Sequence, residues 1–194
     1  MTSLKPFANK VIAVSGAASG IGFGIAQYLV DRGAILSLAD VQHQALETAV
    51  AGITARDPEN NILSTKVDVR KSQEVKEWIS KTVERLRRLD GAANIAGVAT
   101  KNNQWNAIGE TDDDVWDFVI DTNLKGTIYA MREQLEVLQD GGSVVNASSV
   151  AGFRALPSVG CAPYVASKHG IIGASKAAAY EYGKRNIRVN CICP

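Results

Sequence analysis

Cysteine and histidine are scarce in this chain: there are three of the first (Cys161, Cys191, Cys193) and two of the second (His43, His169). An odd cysteine count with no export signal argues against a disulfide framework. No spacing among these five residues suits a zinc ion, so no metal is expected. Cys191 and Cys193, two apart in IRVNCIC, share a strand face and are expected to be buried thiols. Long hydrophobic runs are also missing. Every apolar stretch is broken well before the roughly 18 residues that a bilayer span needs, and the opening MTSLKPFANK lacks a secretory apolar core. The expectation is a cytoplasmic protein without membrane contact. Charge of one sign is not in excess either, with 21 basic and 20 acidic side chains for a net charge of +1. No broad field exists to draw a nucleic-acid backbone. Repeats, low-complexity tracts and Pro/Ser-rich linkers are absent, so residues 1–194 are read as a single domain.

What is present is a chain of 194 residues, 46% hydrophobic, enough for a sizeable core. Short β-branched runs at 11–15, 35–39, 62–67, 91–96, 143–148 and 187–192 alternate with helical periodicity at 21–32, 43–55, 71–88, 112–138 and 164–183. Strand–helix alternation of this kind implies an α/β fold, a doubly wound parallel sheet covered on both faces. Ligands in such sheets bind beyond the carboxyl ends of the strands, where the strand order reverses.

Four strand ends carry polar or glycine-rich signals. In VIAVSGAASGIGFG, Ser15 and Gly16 close the first strand, and Gly20, Ile21 and Gly22 open a helix. Gly16 permits a tight turn, Gly20 lets backbone approach a pyrophosphate, and Gly22 lets helix and strand pack closely. Amides at the helix start would then face the phosphates. At the second end, Asp40 in ILSLAD stands 18 residues beyond Gly22, near the spacing at which a carboxylate meets the adenosine ribose. That carboxylate would repel a 2′-phosphate, and neither AASG nor Val41 supplies an arginine to hold one. NAD is therefore favoured over NADP. At the third end, Asp68, followed by Val69 in VDVR, can accept from the adenine amino group. At the fourth, Asn94 and Gly97 in NIAG can line the cofactor's middle by side chain and backbone.

Tyr164 and Lys168 in PYVASKHG lie four apart in a helical run and so share a face. On spacing alone this is the make-up of a surface pair; beside a dinucleotide it has chemical meaning. Hydride exchange at a carbinol carbon requires a proton to leave or reach the oxygen. A free phenol ionises at about pH 10, so readying one near pH 7 takes about 4 kcal/mol. A cation ~4 Å away at an effective dielectric of about 20 supplies a similar amount. Ser148 and Ser149 in VNASS end the fifth strand, and successive strand residues face opposite ways, so one of the two is expected to reach the site.

Ser15-Gly16-x-x-x-Gly20-Ile21-Gly22, Asn94-x-Ala96-Gly97, Asn123, Ser149 and Tyr164-x-x-x-Lys168, in that order, resemble the short-chain dehydrogenase/reductases, in their single-domain branch. The resemblance runs from about residue 8 to the last residue. It implies a Rossmann fold and an NAD(P) cofactor, with Tyr164, Lys168, Ser149 and Asn123 as the active-site set. It selects Ser149 over Ser148, gives Lys168 a further contact to the nicotinamide ribose, and gives Asn123 a water that leads protons to the lysine. Ser15 departs from the family's usual threonine and Ile95 from its common second asparagine. Family members also continue past the sixth strand with a threonine at the nicotinamide carboxamide, a lid, a helix and a seventh strand. The chain stops at IRVNCICP, so these parts are expected to be missing.

The leading expectation is an NAD-dependent enzyme interconverting a secondary alcohol and a ketone. The alternatives are a catalytically silent dinucleotide-binding fragment or isoform and an NADP-dependent ketoreductase of secondary metabolism. The loops 99–113 and 150–162, with Trp105, Phe153, Leu156 and Val159, would flank a moderately apolar small-molecule pocket. The small residues of IIGASKAAAYEYG and the family's habit of pairing through two long helices imply a homo-oligomer, a dimer or tetramer.

Overall fold

The computed structural model describes residues 5–55, 61–102, 105–155 and 162–194. Its strands are β1 (Val11–Ser15), β2 (Ile35–Asp40), β3 (Ile62–Lys66), β4 (Gly91–Asn94), β5 (Ser143–Ala147) and β6 (Arg188–Ile192). They form one sheet in the order β3-β2-β1-β4-β5-β6, every pairing parallel. The helices between them are α1 (Gly20–Val30), α2 (His43–Thr54), α3 (Ser72–Leu86), α4 (Asp113–Ile120), α5 (Gly126–Val137) and α6 (Ala162–Tyr182). This is the expected doubly wound, Rossmann-type sheet.

Alternate strand residues divide between two cores, as the pleat requires. Val11, Ala13, Ala92, Val144 and Val189 meet α3, α5 and α6, whereas Ile12, Val14, Leu36, Leu38 and Ala93 meet α1 and α2. Each fully buried Leu or Ile side chain contributes about 2 kcal/mol. That packing holds α2 through Leu46 and Ile53, because Gln42 at its start makes no side-chain cap. Strand β2 is tied to α3 by polar contacts as well. The indole Nε1 of Trp78 donates to Ser37 Oγ at 2.9 Å, and Ser37 Oγ lies 2.6 Å from Thr82 Oγ1, all three residues buried. The end of β2, and with it Asp40, is thereby anchored. The strand order reverses between β1 and β4, so the crevice outside their carboxyl ends is where a ligand is expected.

One segment departs from the predicted elements. The helix expected over 112–138 is α4 and α5 joined by a π-helical turn, Asp121–Lys125, which holds Asn123. The buried positions Val115, Val119, Asn123, Thr127, Met131 and Leu135 recur at every fourth residue. Five such steps span 20 residues, where five α-helical turns take about 18. The π turn, about one residue longer than an α turn, absorbs part of that surplus and helps keep one face on the sheet.

Cys191 and Cys193 are half-buried, not fully buried as expected, since β6 lies at the sheet's edge. Cys161 lies outside the described residues. Among the described residues no helix is long and apolar enough to cross a membrane, and no group of His, Cys, Asp and Glu side chains is arranged to hold a metal ion.

Candidate functional site

The turn between β1 and α1 uses each glycine differently. Gly16 has φ +69°, and a Cβ there would sit 2.8 Å from the backbone nitrogen of Ala96, so the turn packs directly on the chain leaving β4. A Cβ on Gly22 would lie 2.1 Å from the Gly16 carbonyl oxygen, which only glycine allows. Gly20, at φ +52°, faces open space, with nothing within 4 Å of where its Cβ would be. Ser19, in extended backbone, does not cap α1 with its side chain, and the first turn carries no acidic residue. The opening amides of α1 and the positive end of its dipole therefore face a cavity of about 360 Å³ with no side-chain cap from Ser19 and no acidic residue in the first turn.

Asp40 and Asp68 both line that cavity, together with Gly16, Gly20, Ile21, Val69 and Gly97. The Asp40 carboxylate accepts from the backbone N–H of Ala18 at 3.1 Å and of Gln42 at 2.9 Å, which fixes it at the mouth of the glycine turn. Asp68 is gripped by Arg70, whose guanidinium holds its carboxyl below the usual carboxylate range. Val69 packs against α5, and a Cβ on Gly126 would meet its Cγ2 at 2.8 Å.

Asn94 and Ser15 do not line the cavity, which corrects the expectation for both side chains. Register explains it. Ser15, Asn94, Asn146 and Cys191 pair in one row across β1, β4, β5 and β6, so their side chains share the face covered by α5 and α6. Ser15 Oγ accepts from the N–H groups of Ile95 and Ala96 at 3.2 and 3.3 Å, stitching the end of β4 to the glycine turn. The Asn94 amide exchanges two hydrogen bonds with Gln134 at 2.9 and 3.0 Å and donates to Asn146 Oδ1 at 2.9 Å. Asn146 in turn donates to Ser175 Oγ at 2.8 Å, a hydroxyl that also meets the Cys191 thiol at 3.1 Å. Asn94→Ala would leave Gln134 and Asn146, both fully buried, short of partners. The expected loss is about 2 kcal/mol in the unfolding free energy measured by urea titration, with NADH affinity changed less than about threefold. A selective loss of NADH binding at full stability would restore the groove role for this side chain.

Tyr164 and Lys168 sit on α6 beside a second cavity of about 230 Å³, lined also by Ser148, Ser149, Gly97 and Val98. Lys168 Nζ is 5.4 Å from the centroid of the Tyr164 ring and donates to the Ala147 carbonyl at 2.8 Å. The residue is 5% exposed, and burial pulls its ammonium down to about 8, so at neutral pH it is still mainly a cation. The two serines differ in their hydrogen-bond partners. Ser148 Oγ donates to the Lys168 carbonyl at 2.8 Å and is occupied in holding α6 to β5. Ser149 Oγ accepts from the Ala151 N–H at 3.2 Å and contacts the Pro194 carbonyl at 3.4 Å, leaving the weaker commitments of the pair.

Asn123 reaches the site through the backbone of residue 98. Its Oδ1 accepts from the Val98 N–H and its Nδ2 donates to the Val98 carbonyl, each at 2.8 Å. Its Nδ2 also donates to Ser167 Oγ at 3.1 Å, and that hydroxyl donates to the Tyr164 carbonyl at 2.7 Å. A Cβ on Gly97 would sit 3.1 Å from Asn123 Oδ1 and 3.6 Å from Lys168 Nζ. The π turn thus clamps the strand-end backbone of β4 to the tyrosine–lysine turn of α6.

Sequence reasoning did not single out Ser167, Arg70 or Phe118. Ser167, one residue before the lysine, is fully buried against Asn123 of the π turn, and a small hydroxyl beside the lysine in a helical run was the available signal. Arg70 and Phe118 line the first cavity from elements far apart in sequence, and nothing local announces that. Phe153 and Trp105 are exposed and line neither cavity. Leu156 and Val159 lie outside the described residues.

Residues 16–194 match the family described as enoyl-(acyl carrier protein) reductase. The chain is 47% identical over 192 residues to the short-chain dehydrogenase/reductase aba4 of Botryotinia fuckeliana, covering 99% of this chain and 73% of that protein. The crystal structure of levodione reductase superposes with a TM-score of 0.91 at 34% identity, covering 97% of this chain and 72% of that one. Carveol dehydrogenase from Mycobacterium avium, in complex with NAD, gives a TM-score of 0.89 at 33% identity over 96% of this chain and 70% of its own. Likeness at this level over nearly the whole chain leaves one assignment: the chain belongs to the short-chain dehydrogenase/reductase family, enzymes that are oxidoreductases of alcohols and ketones.

Proposed function

We propose that the protein interconverts a secondary alcohol and a ketone with NAD as its cofactor. The observation that carries this reading is that the two cavities are neighbours sharing Ile21, Ile95, Gly97 and Val98. The α1 amino terminus and Asp40 thus lie on one side of those four residues, and Tyr164, Lys168 and Ser149 on the other. The residues present fit a dinucleotide: open space over Gly20 and first-turn amides that the Ser19 side chain leaves uncapped suit a pyrophosphate. The Asp40 carboxylate, already oriented by two backbone amides, suits a pair of ribose hydroxyls.

When bound, the nicotinamide supplies or takes up the hydride. Tyr164 exchanges the proton with the substrate oxygen, and the ammonium of Lys168 beside its ring favours the phenolate form needed in the alcohol-oxidising direction. Ser149 donates to the same oxygen, and Ser148 and Ala147 hold Lys168 in place through backbone contacts. Asn123 is a positioning residue here, since its side chain is spent on Val98 and Ser167. Its carbonyl accepts the Thr127 hydroxyl at 2.7 Å. The names of the relatives, a levodione reductase and a carveol dehydrogenase, support a small-molecule substrate of this class.

The preference for NAD follows from charge. A 2′-phosphate set against Asp40 costs about 2 kcal/mol, on the order of 30-fold in affinity. Fluorescence titration should therefore give NADH at least that advantage over NADPH, and Asp40→Ala should narrow the gap to within about threefold. Equal affinities in the unmodified protein would overturn the NAD assignment.

A further inference from the structure

The turn that follows β5, Val150–Gly152, is held on two sides. Toward the end of β6, the Val150 N–H donates to the Pro194 carbonyl at 3.0 Å. Toward its own start, the Gly152 N–H donates to the Ser149 carbonyl at 2.8 Å, and Ser149 Oγ accepts from the Ala151 N–H at 3.2 Å. Gly152 is buried where this turn meets α6, and its φ lies outside the left-handed region, so the backbone does not call for glycine there. Space does. A Cβ on Gly152 would collide with Ser148 Oγ, and would lie 2.7 Å from Ile172 Cδ1 and 2.9 Å from the Lys168 carbonyl oxygen. The hydroxyl and the carbonyl are the two ends of the bond, 2.8 Å long, by which Ser148 holds α6 to β5.

A methyl group at position 152 would therefore act as a wedge in that seam, and an overfilled site relaxes through shifts of side chains and backbone. The Ile172 methyl is the free end of a side chain and can turn away. The Ser148 hydroxyl can leave only by giving up its bond, and the carbonyl can retreat only with the turn of α6 that carries Tyr164 and Lys168. Gly152 itself lines neither cavity, so it reaches the reaction only through these neighbours. We propose that Gly152 is a positioning residue for the proton step: by carrying no side chain it lets the turn after β5 close on α6, and so sets where Ser149 stands relative to Tyr164 and Lys168. This rests on the reading of those three side chains as the groups that meet the substrate.

The test measures kcat for ketone reduction, NADH affinity and thermal unfolding in the unmodified protein, Gly152→Ala, Ser148→Ala and the double variant. Gly152→Ala is expected to lower kcat about a hundredfold, the penalty for misplacing reacting groups by about 1 Å. Its dissociation constant for NADH should stay within about twofold, because the turn does not line the cavity that holds Asp40. Ser148→Ala removes the bond and adds no wedge, so its kcat is expected to fall by less than about tenfold, the worth of one hydrogen bond. In the double variant the added methyl takes the room that the hydroxyl vacates, and the two changes are strongly coupled. Its kcat is expected to return to within about threefold of Ser148→Ala alone. Turnover by Gly152→Ala within threefold of the unmodified protein would overturn the proposal, and so would a double variant as slow as Gly152→Ala. Should Gly152→Ala yield no folded protein, the double variant is compared with Ser148→Ala directly: kcat within about threefold supports the proposal, and a larger loss or failure to fold overturns it. Absence of NADH-dependent ketone reduction by the unmodified protein would overturn the functional reading and this proposal with it, whereas reduction that Gly152→Ala leaves intact overturns this proposal alone.

Discussion

Tyr164→Phe is expected to lower turnover by about a thousandfold, in the range by which a positioned acid–base group accelerates proton transfer, while the dissociation constant for NADH stays within about twofold. The substitution removes one oxygen and keeps the ring against which Lys168 Nζ lies, 5.4 Å from its centroid. The first cavity, where Asp40 and the α1 amides are, does not include Tyr164, so cofactor affinity has no reason to follow turnover. The measurement is steady-state oxidation of NADH with the best ketone found in a small panel, alongside direct titration of NADH. A variant that retains a tenth of the turnover would remove Tyr164 from the proton step, whatever its neighbours do.

Lys168→Met is expected to abolish that turnover and, at the same time, to make the protein more stable at neutral pH. Burial pulls the ammonium from its ordinary 10.5 to about 8, which means that the folded state disfavours the charged form by about 3 kcal/mol. Losing the hydrogen bond to the Ala147 carbonyl returns about 1 kcal/mol, so the net gain is about 2 kcal/mol, or roughly 4–8 °C in Tm for a chain of this size. The pH dependence has a definite sign. Between about 8 and 10.5 the unfolded chain holds more protons on this lysine than the folded one, so the deficit is fully present below pH 8 and is relieved as pH rises toward 10.5. The advantage of the methionine variant should therefore shrink by about 2 kcal/mol between pH 7 and 9.5. Urea titrations of both proteins at the two pH values, compared as a difference, isolate this group from every other. A methionine variant less stable at pH 7 would mean that the ammonium is better solvated than its burial implies. Stability given up at a buried cation is consistent with a group kept for chemistry, not for folding.

Much of this site was legible because some of its residues act through properties that sequence carries directly. The order Gly16, Gly20, Gly22 follows from backbone constraints that no other residue satisfies, and the structure assigns a different steric reason to each. Tyr164 and Lys168 share a face because a helix has a fixed period. Strand periodicity likewise led to the correct sheet class. What stayed hidden depends on relations between distant segments. Asn94 turns away from the groove because its register with Ser15 and Asn146 assigns it to the α5 face. Asp68 is held by a neighbour only two residues on, and the Arg70 guanidinium that holds it also lies 5.2 Å from the Phe118 ring on α4, a contact that sequence does not announce. That the Lys168 carbonyl claims the hydroxyl of Ser148 and not that of Ser149 is likewise a relation between β5 and α6 that sequence does not carry. The π turn was visible in principle, in the every-fourth-residue spacing from Val115 to Leu135, yet the same residues read well enough as one long amphipathic helix.

The partition shared by the two cavities has a consequence for timing. Ile21, Ile95, Gly97 and Val98 belong to both, so a molecule seated in the larger compartment as far as that partition becomes part of the enclosure of the smaller one. A substrate that arrives before it meets an unfinished chamber. Ordered addition, dinucleotide before substrate, is the kinetic pattern that this arrangement predicts, and initial-rate or product-inhibition measurements would check it.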